Sequence, residues 1–210
     1  MNEVRTSECL SQVDLCSDFS SQELSSALLS LSSTASGPDG ITYPLLTHLP
    51  QAGRDYLLHI FNLSWTTSTF PAAWKQSTVI PILKAGKPSS SPSSYRPISL
   101  TSCISKLFEK MVLARLSYFL EANNILTPVQ AGFRPGRSTV DQVLLLSQSI
   151  ADGFHRRKPG ARTVLAMVDF AKAFDSVWHS ALLSKMLSLG LPHRFVHWTR
   201  SYLLDLRSKV

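Results

Sequence analysis

Asp169 is the residue in this chain whose surroundings most suggest chemistry. It ends an apolar run, Thr163-Val164-Leu165-Ala166-Met167-Val168, and is followed by Phe170-Ala171-Lys172-Ala173-Phe174-Asp175. The run reads as a buried strand over residues 163–170. A carboxylate delivered by a buried strand is costly unless a cation or hydrogen-bond donors meet it. A divalent metal at the strand end would do so. An aspartate that is solvated at the strand end, or caps a turn, fits the same pattern, and on pattern alone this plainer reading leads. Asp175 differs. It directly precedes a helical pattern over residues 176–189 and has the side chain of an N-cap, so it reads as structural.

The second set of candidates is basic. Between Lys75 and Arg137 there are nine basic residues and two acidic ones, Glu109 and Glu121, a net of +7. Each cation is equally readable as solvated surface charge. Residues 1–35 carry five acidic residues and one basic, a net of −4, while residues 36–210 carry 20 basic and nine acidic, a net of +11. A basic body suits nucleic acid or an anionic membrane surface, and also an ordinary basic protein. The cysteines, Cys9, Cys16 and Cys103, are odd in number and lack metal-ligand spacing, which points to a reducing compartment. No apolar run approaches the ~20 residues of a membrane span, and the start of the chain has no signal-peptide pattern. The expectation is an intracellular protein, of nucleus or cytoplasm, neither secreted nor membrane-embedded.

Several elements must position these residues. The first 35 residues are acidic and serine-rich. Within them Ser20-Ser21-Gln22-Glu23 reads as a capping box opening a short helix through Leu24, Leu28, Leu29 and Leu31, expected at the periphery. Ser36-Gly37-Pro38-Asp39-Gly40 is a turn cluster separating it from the body. Residues 51–68 have helical spacing at Tyr56, Leu57, Ile60, Phe61 and Leu63. Residues 78–83 read as a short strand, with Pro81 placing it at an edge or bulge. Residues 85–94 read as a flexible hairpin tip. The strongest helix is residues 101–122, with Ile104, Leu107, Phe108 and Met111 on one face, continued by the stem of Arg115 and by Tyr118, and with Glu109 and Lys110 on the wet side. Residues 139–154, 176–189 and 192–206 read as further helices, the last two joined at Gly190-Leu191-Pro192. Separate helices with few strands suggest an α+β fold.

With these segments in order, a family resemblance becomes specific. Asp-x-x-Lys-Ala-Phe-Asp, over residues 169–175, resembles motif A of the non-LTR (LINE-type, jockey-like) retrotransposon reverse transcriptases. Ser36-Gly37-Pro38-Asp39-Gly40-Ile41 resembles the opening segment of that family's domain. Phe70-Pro71 with Trp74-Lys75, then Val79-Ile80-Pro81-Ile82-Leu83-Lys84 and Gly86-Lys87-Pro88, resembles its first fingers strand. Tyr95-Arg96-Pro97-Ile98-Ser99-Leu100 and Lys106-Leu107-Phe108-Glu109-Lys110 resemble the motif and helix that follow. Gln130-Ala131-Gly132-Phe133-Arg134-Pro135-Gly136-Arg137-Ser138-Thr139 resembles the next fingers motif. The match runs from Ser36 to Val210.

The resemblance implies the fingers and first part of the palm of a right-hand polymerase over residues 36–210, with an incomplete antiparallel sheet. It implies RNA-directed DNA polymerase activity on an RNA template, a DNA primer and a dNTP. Asp169 would be the catalytic ligand of two magnesium (or manganese) ions, with the Phe170 backbone carbonyl as a further ligand. Such ions sit ~3.5–4 Å apart and stabilise the attacking hydroxyl and the leaving pyrophosphate. Phe174 would lie under the incoming sugar, although core packing is an equally natural role for it. Arg96, Arg134, Lys84 and Arg137 would contact triphosphate or template backbone, a planar guanidinium meeting phosphate through two parallel hydrogen bonds. Gly132 and Gly136 would let the backbone approach closely, and duplex would be held through backbone contacts in a salt-dependent way. The family's second carboxylate source, a Tyr/Phe-Ala-Asp-Asp hairpin, is missing. The one acidic residue after Asp175 is Asp205. The segment Arg207-Ser208-Lys209-Val210 looks like the opening of the next palm strand. The expectation is therefore a fragment, inactive by itself. A non-catalytic module binding RNA or RNA–DNA hybrid, and a decayed transposon remnant, are the alternatives.

Overall fold

The computed structural model describes residues 15–32, 34–155 and 162–210. Among them are seven α-helices and one three-stranded sheet, a mixed helix-and-sheet fold as the α+β expectation required. The chain divides into two compact units, Met1–Leu116 with Trp178–Val210, and Ser117–Val177.

The first unit is built on helices that bury aromatic rings. Helix α1 (Ser21–Leu29) opens on the expected capping box: the Glu23 N–H donates to Ser20 Oγ at 3.2 Å and the Ser20 N–H donates to Glu23 Oε2 at 2.8 Å. It is not peripheral. Leu24, Ala27 and Leu28 are buried, and Phe19 just before the helix is 3% exposed. After a short helix α2 (Tyr43–Thr47), helix α3 (Gln51–Thr66) buries Leu57, Phe61 and Trp65. Helix α4 (Cys103–Ala122) buries Leu107, Phe108, Met111 and Val112. Near the end of the chain, helix α7 (His193–Leu203) buries Phe195, Val196 and Trp198. The rings meet one another: Phe61 stacks on Phe108 at 4.6 Å, and Trp198 meets Phe108 edge-on at 5.2 Å. Burying each ring is worth about 1.5–3 kcal/mol, and each ring pair adds about 1 kcal/mol.

Arg115 explains why α1 belongs to the core. Its side chain is 5% exposed. Nε and Nη2 donate to the two carboxylate oxygens of Glu23 at 2.7 and 3.0 Å. Nη1 donates to the Ser17 carbonyl at 2.6 Å and Nη2 to the Asp18 carbonyl at 3.0 Å. The guanidinium carbon lies 3.8 Å from the centre of the Phe19 ring. So the head group, and not just the carbon stem expected from the sequence, is buried. Glu109 also departs from expectation. It is half-buried and accepts from Ser105 Oγ and from the Tyr202 hydroxyl.

The sheet comprises β1 (Gln76–Leu83), β2 (Tyr95–Thr101) and β3 (Arg207–Lys209), in the order β2-β1-β3. Strand β2 pairs antiparallel to β1, but β3 pairs parallel to it, so the sheet is mixed rather than antiparallel as expected. The long helical connection before β3 makes the parallel register accessible. Pro81 stands opposite Pro97. The Lys84 N–H donates to the Ser94 carbonyl at 2.8 Å, which puts the even positions of β1 in the bonded pairs. The two prolines therefore occupy a non-bonded pair, where neither needs an N–H. On its other side β1 pairs with β3 only as far as Thr78 opposite Lys209, short of Pro81. Strand β1 is thus the middle strand of the sheet rather than an edge strand as expected, and Pro81 is accommodated because it lies beyond the stretch that β3 pairs. The turn cluster at residues 36–40 is packed rather than separating: a Cβ on Gly37 would stand 2.6 Å from the Ser102 nitrogen.

The second unit is less closed. Helix α5 (Thr139–His155) is capped by Ser138, whose Oγ accepts from the Asp141 N–H at 3.2 Å. Its apolar residues Val140, Val143, Leu144 and Leu145 remain 57–63% exposed. The strand expected over residues 163–170 is not formed. The segment carries no regular structure and is exposed, with Val164 at 88% and Met167 at 87% exposure. The physical reason is local: all three described strands lie in the other unit, so this backbone finds no ladder to join.

Asp175 is not a helix cap. Residues 171–176 form a turn closed by the Ser176 N–H on the Lys172 carbonyl at 3.0 Å. Helix α6 (His179–Ser188) starts later than expected, with Trp178 as its N-cap residue and no side-chain cap bond. The linkage of α6 to α7 through Gly190-Leu191-Pro192 is as expected, and Gly190 takes a φ of +82°.

Replacing Arg115 by Ala should cost about 3 kcal/mol, because it strands a partly buried carboxylate and the carbonyls of Ser17 and Asp18. Burial acts to raise the Glu23 carboxyl, but the Arg115 and Ser20 hydrogen bonds and the Arg115 charge together hold it below its ordinary range. Its contribution to stability is therefore complete above the ordinary carboxylate range and is lost as pH falls through the lowered value. Urea unfolding of the wild type and Glu23→Gln across the acid range should show a shallower pH dependence in the variant.

Candidate metal and nucleic-acid site

Asp169 lies in the exposed, irregular segment of the second unit. Among the described residues no group of three or more His, Cys, Asp or Glu side chains stands together as a metal site. Magnesium demands a near-octahedral set of oxygens. Asp169 with the Phe170 carbonyl is an incomplete set, so the residues present do not by themselves fit the ion. Phe170 is 75% exposed. Phe174 is 79% exposed and meets one ring, Phe133, edge-on at 6.2 Å and 88°. The segment after Asp169 is thereby joined to the loop containing residues 130–139, within one unit.

In that loop Arg134 is fully engaged. Nε and Nη2 donate to the two oxygens of Glu121 at 2.7 and 2.6 Å. Nη1 donates to the carbonyls of Thr127 and Gln130 at 2.8 and 3.2 Å. The Arg134 hydrogen bonds hold the Glu121 carboxyl below its ordinary range. Arg137 Nη1 donates to the Pro128 carbonyl at 3.1 Å. Gly136 takes a φ of +69°, which a residue with a side chain rarely adopts, whereas a Cβ at Gly132 would meet nothing within 4 Å.

In the first unit Lys84 Nζ donates to the Ser93 carbonyl at 2.8 Å across the hairpin loop. Arg96 is exposed on β2, opposite Ile82. Lys106 and Lys110 reach the carbonyls of Ala35 and Ser30. Much of the basic excess between Lys75 and Arg137 therefore holds turns together. Among the described residues, the side chains of Lys75, Lys87 and Arg96 make no hydrogen bond or ion pair. Sequence spacing could not reveal this, because Glu23 and Glu121 lie 92 and 13 residues from the arginines they meet. Phe133 also gained no role from the sequence, though a bulky residue between Gly132 and Arg134 is the signal that marks it.

Residues 82–210 match the family model described as reverse transcriptase (RNA-dependent DNA polymerase). The chain belongs to that family. It is similar to the probable RNA-directed DNA polymerase from transposon BS of Drosophila melanogaster, 38% identical over 174 residues, which is 83% of this chain and 19% of that protein. It is also similar to the probable RNA-directed DNA polymerase from transposon X-element of the same organism, 35% identical over 176 residues, 84% of this chain and 19% of that protein. The RNA-directed DNA polymerase from mobile element jockey is 31% identical over 162 residues, 77% of this chain and 17% of its own length. The chain spans less than a fifth of these relatives. No described helix is long and apolar enough to cross a membrane.

If Arg134 is a clamp, Arg134→Ala and Glu121→Ala should loosen the same loop. Hydrogen exchange should speed up across residues 127–137 in both variants while α3 and α7 keep their protection. Unchanged exchange in that loop would remove the clamp role.

Proposed function

We propose that this chain carries the fingers, and the first part of the palm, of a non-LTR retrotransposon reverse transcriptase within residues 36–210, preceded by an acidic segment over residues 1–35. The polymerase would transfer nucleotides from dNTP to a DNA primer on an RNA template inside the cell. In this reading Asp169 and the Phe170 carbonyl provide part of a magnesium or manganese site, and Phe174 sits under the incoming sugar. Arg96, Lys84 and Arg137 approach triphosphate or template phosphates, with Arg134 shaping the loop that holds Arg137. The bound ions would supply charge stabilisation of the attacking hydroxyl and the leaving pyrophosphate. Among the described residues the donors are incomplete, and in this reading the chain is inactive by itself.

The family match spanning Asp169 without an assembled set of carboxylates carries this reading. The exposed apolar face of α5 and the unpaired segment after residue 162 support it, since both are surfaces a larger body would cover. Primer extension on a homopolymer RNA template tests it. The expected result is no magnesium-dependent product from this chain, and robust synthesis would contradict the inactive-fragment reading.

A second reading, RNA binding without chemistry, draws on the side chains of Lys75, Lys87 and Arg96. Fluorescence titration of labelled RNA should give affinity that falls steeply between low and high salt. Binding that is absent, or insensitive to salt, would contradict it.

A further inference from the structure

We propose that Phe133 is a stacking platform for a base of single-stranded RNA. The inference deepens the RNA-handling role above and rests on it. Phe133 is 95% exposed and holds a φ of +59°. A bulky residue persists in the left-handed region only where its surroundings enforce it. Here the next residue does so. Arg134 is tied to Glu121 through two bonds and to the Thr127 and Gln130 carbonyls through two more. Its own N–H closes the turn on the Ala131 carbonyl at 3.4 Å. The turn is thus fixed with the Phe133 ring outward.

With 95% of the residue exposed, the Phe133 ring is open to a flat partner. Phe174 supports the ring at right angles, 6.2 Å away, and still leaves it open to solvent. Arg137 uses Nη1 on Pro128, leaving other N–H donors for a phosphate. Arg134 is neutralised by Glu121, so it contributes shape rather than charge. The exposed apolar residues of α5 are different: they are aliphatic and helically spaced, as a packing face is. A lone aromatic on a strained, glycine-flanked, basic turn matches the way unpaired bases are held, by stacking on aromatic side chains. Every base offers a π-face, so the contact would be tolerant of sequence.

The test uses the full chain, fluorescein-labelled oligoadenylate RNA and an A-form RNA duplex, read by anisotropy. Phe133→Ala and Phe133→Leu should each weaken single-strand binding by roughly 5- to 100-fold. Phe133→Trp should retain it, because it keeps a π-face where Leu keeps only bulk. Duplex binding should change little in all three, since paired bases expose no face. Circular dichroism and thermal melting should match wild type, as the ring supports no core. If Leu binds as tightly as Phe, or Ala loses nothing, the stacking role is wrong while RNA binding stands. If the wild type binds no RNA at all, both this inference and the RNA-handling reading fall.

Discussion

Phe108 is the point at which the first unit is held together. Its ring meets Phe19 at 5.5 Å, Phe61 at 4.6 Å, Trp74 at 6.2 Å and Trp198 at 5.2 Å. Those four rings come from the segment before α1, from α3, from the turn before β1 and from α7. One side chain on α4 therefore fixes elements separated by most of the chain. Aromatic packing of this kind tolerates few alternatives, because edge-on and stacked geometries depend on ring orientation. The Arg115 cluster sits at the margin of this core, and its ring contact with Phe19 extends the same network.

The second unit depends on polar rather than aromatic closure. Its loop is shaped by one guanidinium on a carboxylate and two carbonyls, and its apolar residues are largely in water. The contrast accounts for the state of Asp169. A strand carrying a metal ligand needs neighbours to satisfy its backbone and bury its alternate side chains. Residues 162–170 have neither among the described elements of their unit, so the aspartate stands in solvent instead of at the end of a sheet.

Much of the fold was legible because it is local. The capping box of Ser20 and Glu23, the helices α3 to α5, and the Gly190-Leu191-Pro192 linkage follow from patterns within a few residues. The errors have two causes, dependence on distant partners and, at Asp175, one local turn. The 163–170 run has the composition of a strand but lacks a ladder. Asp175 has the chemistry of a cap, yet the turn closed by Ser176 places it before the helix. The helix α1 looked peripheral because nothing in its sequence announces Arg115. Of the candidate site, the motifs single out Asp169 and the basic loop as candidates. That Arg134 is spent on Glu121, and that Phe133 faces outward, required the backbone.

The proposed function makes Asp169 one part of a metal site whose other ligands are not among the described residues. Titration of the chain with manganese, followed by electron paramagnetic resonance, measures it directly. The account predicts weak binding, millimolar or poorer, that changes little in Asp169→Asn, as a lone exposed carboxylate should give. Two manganese ions bound in the micromolar range and lost in Asp169→Asn would show a complete site and contradict the account.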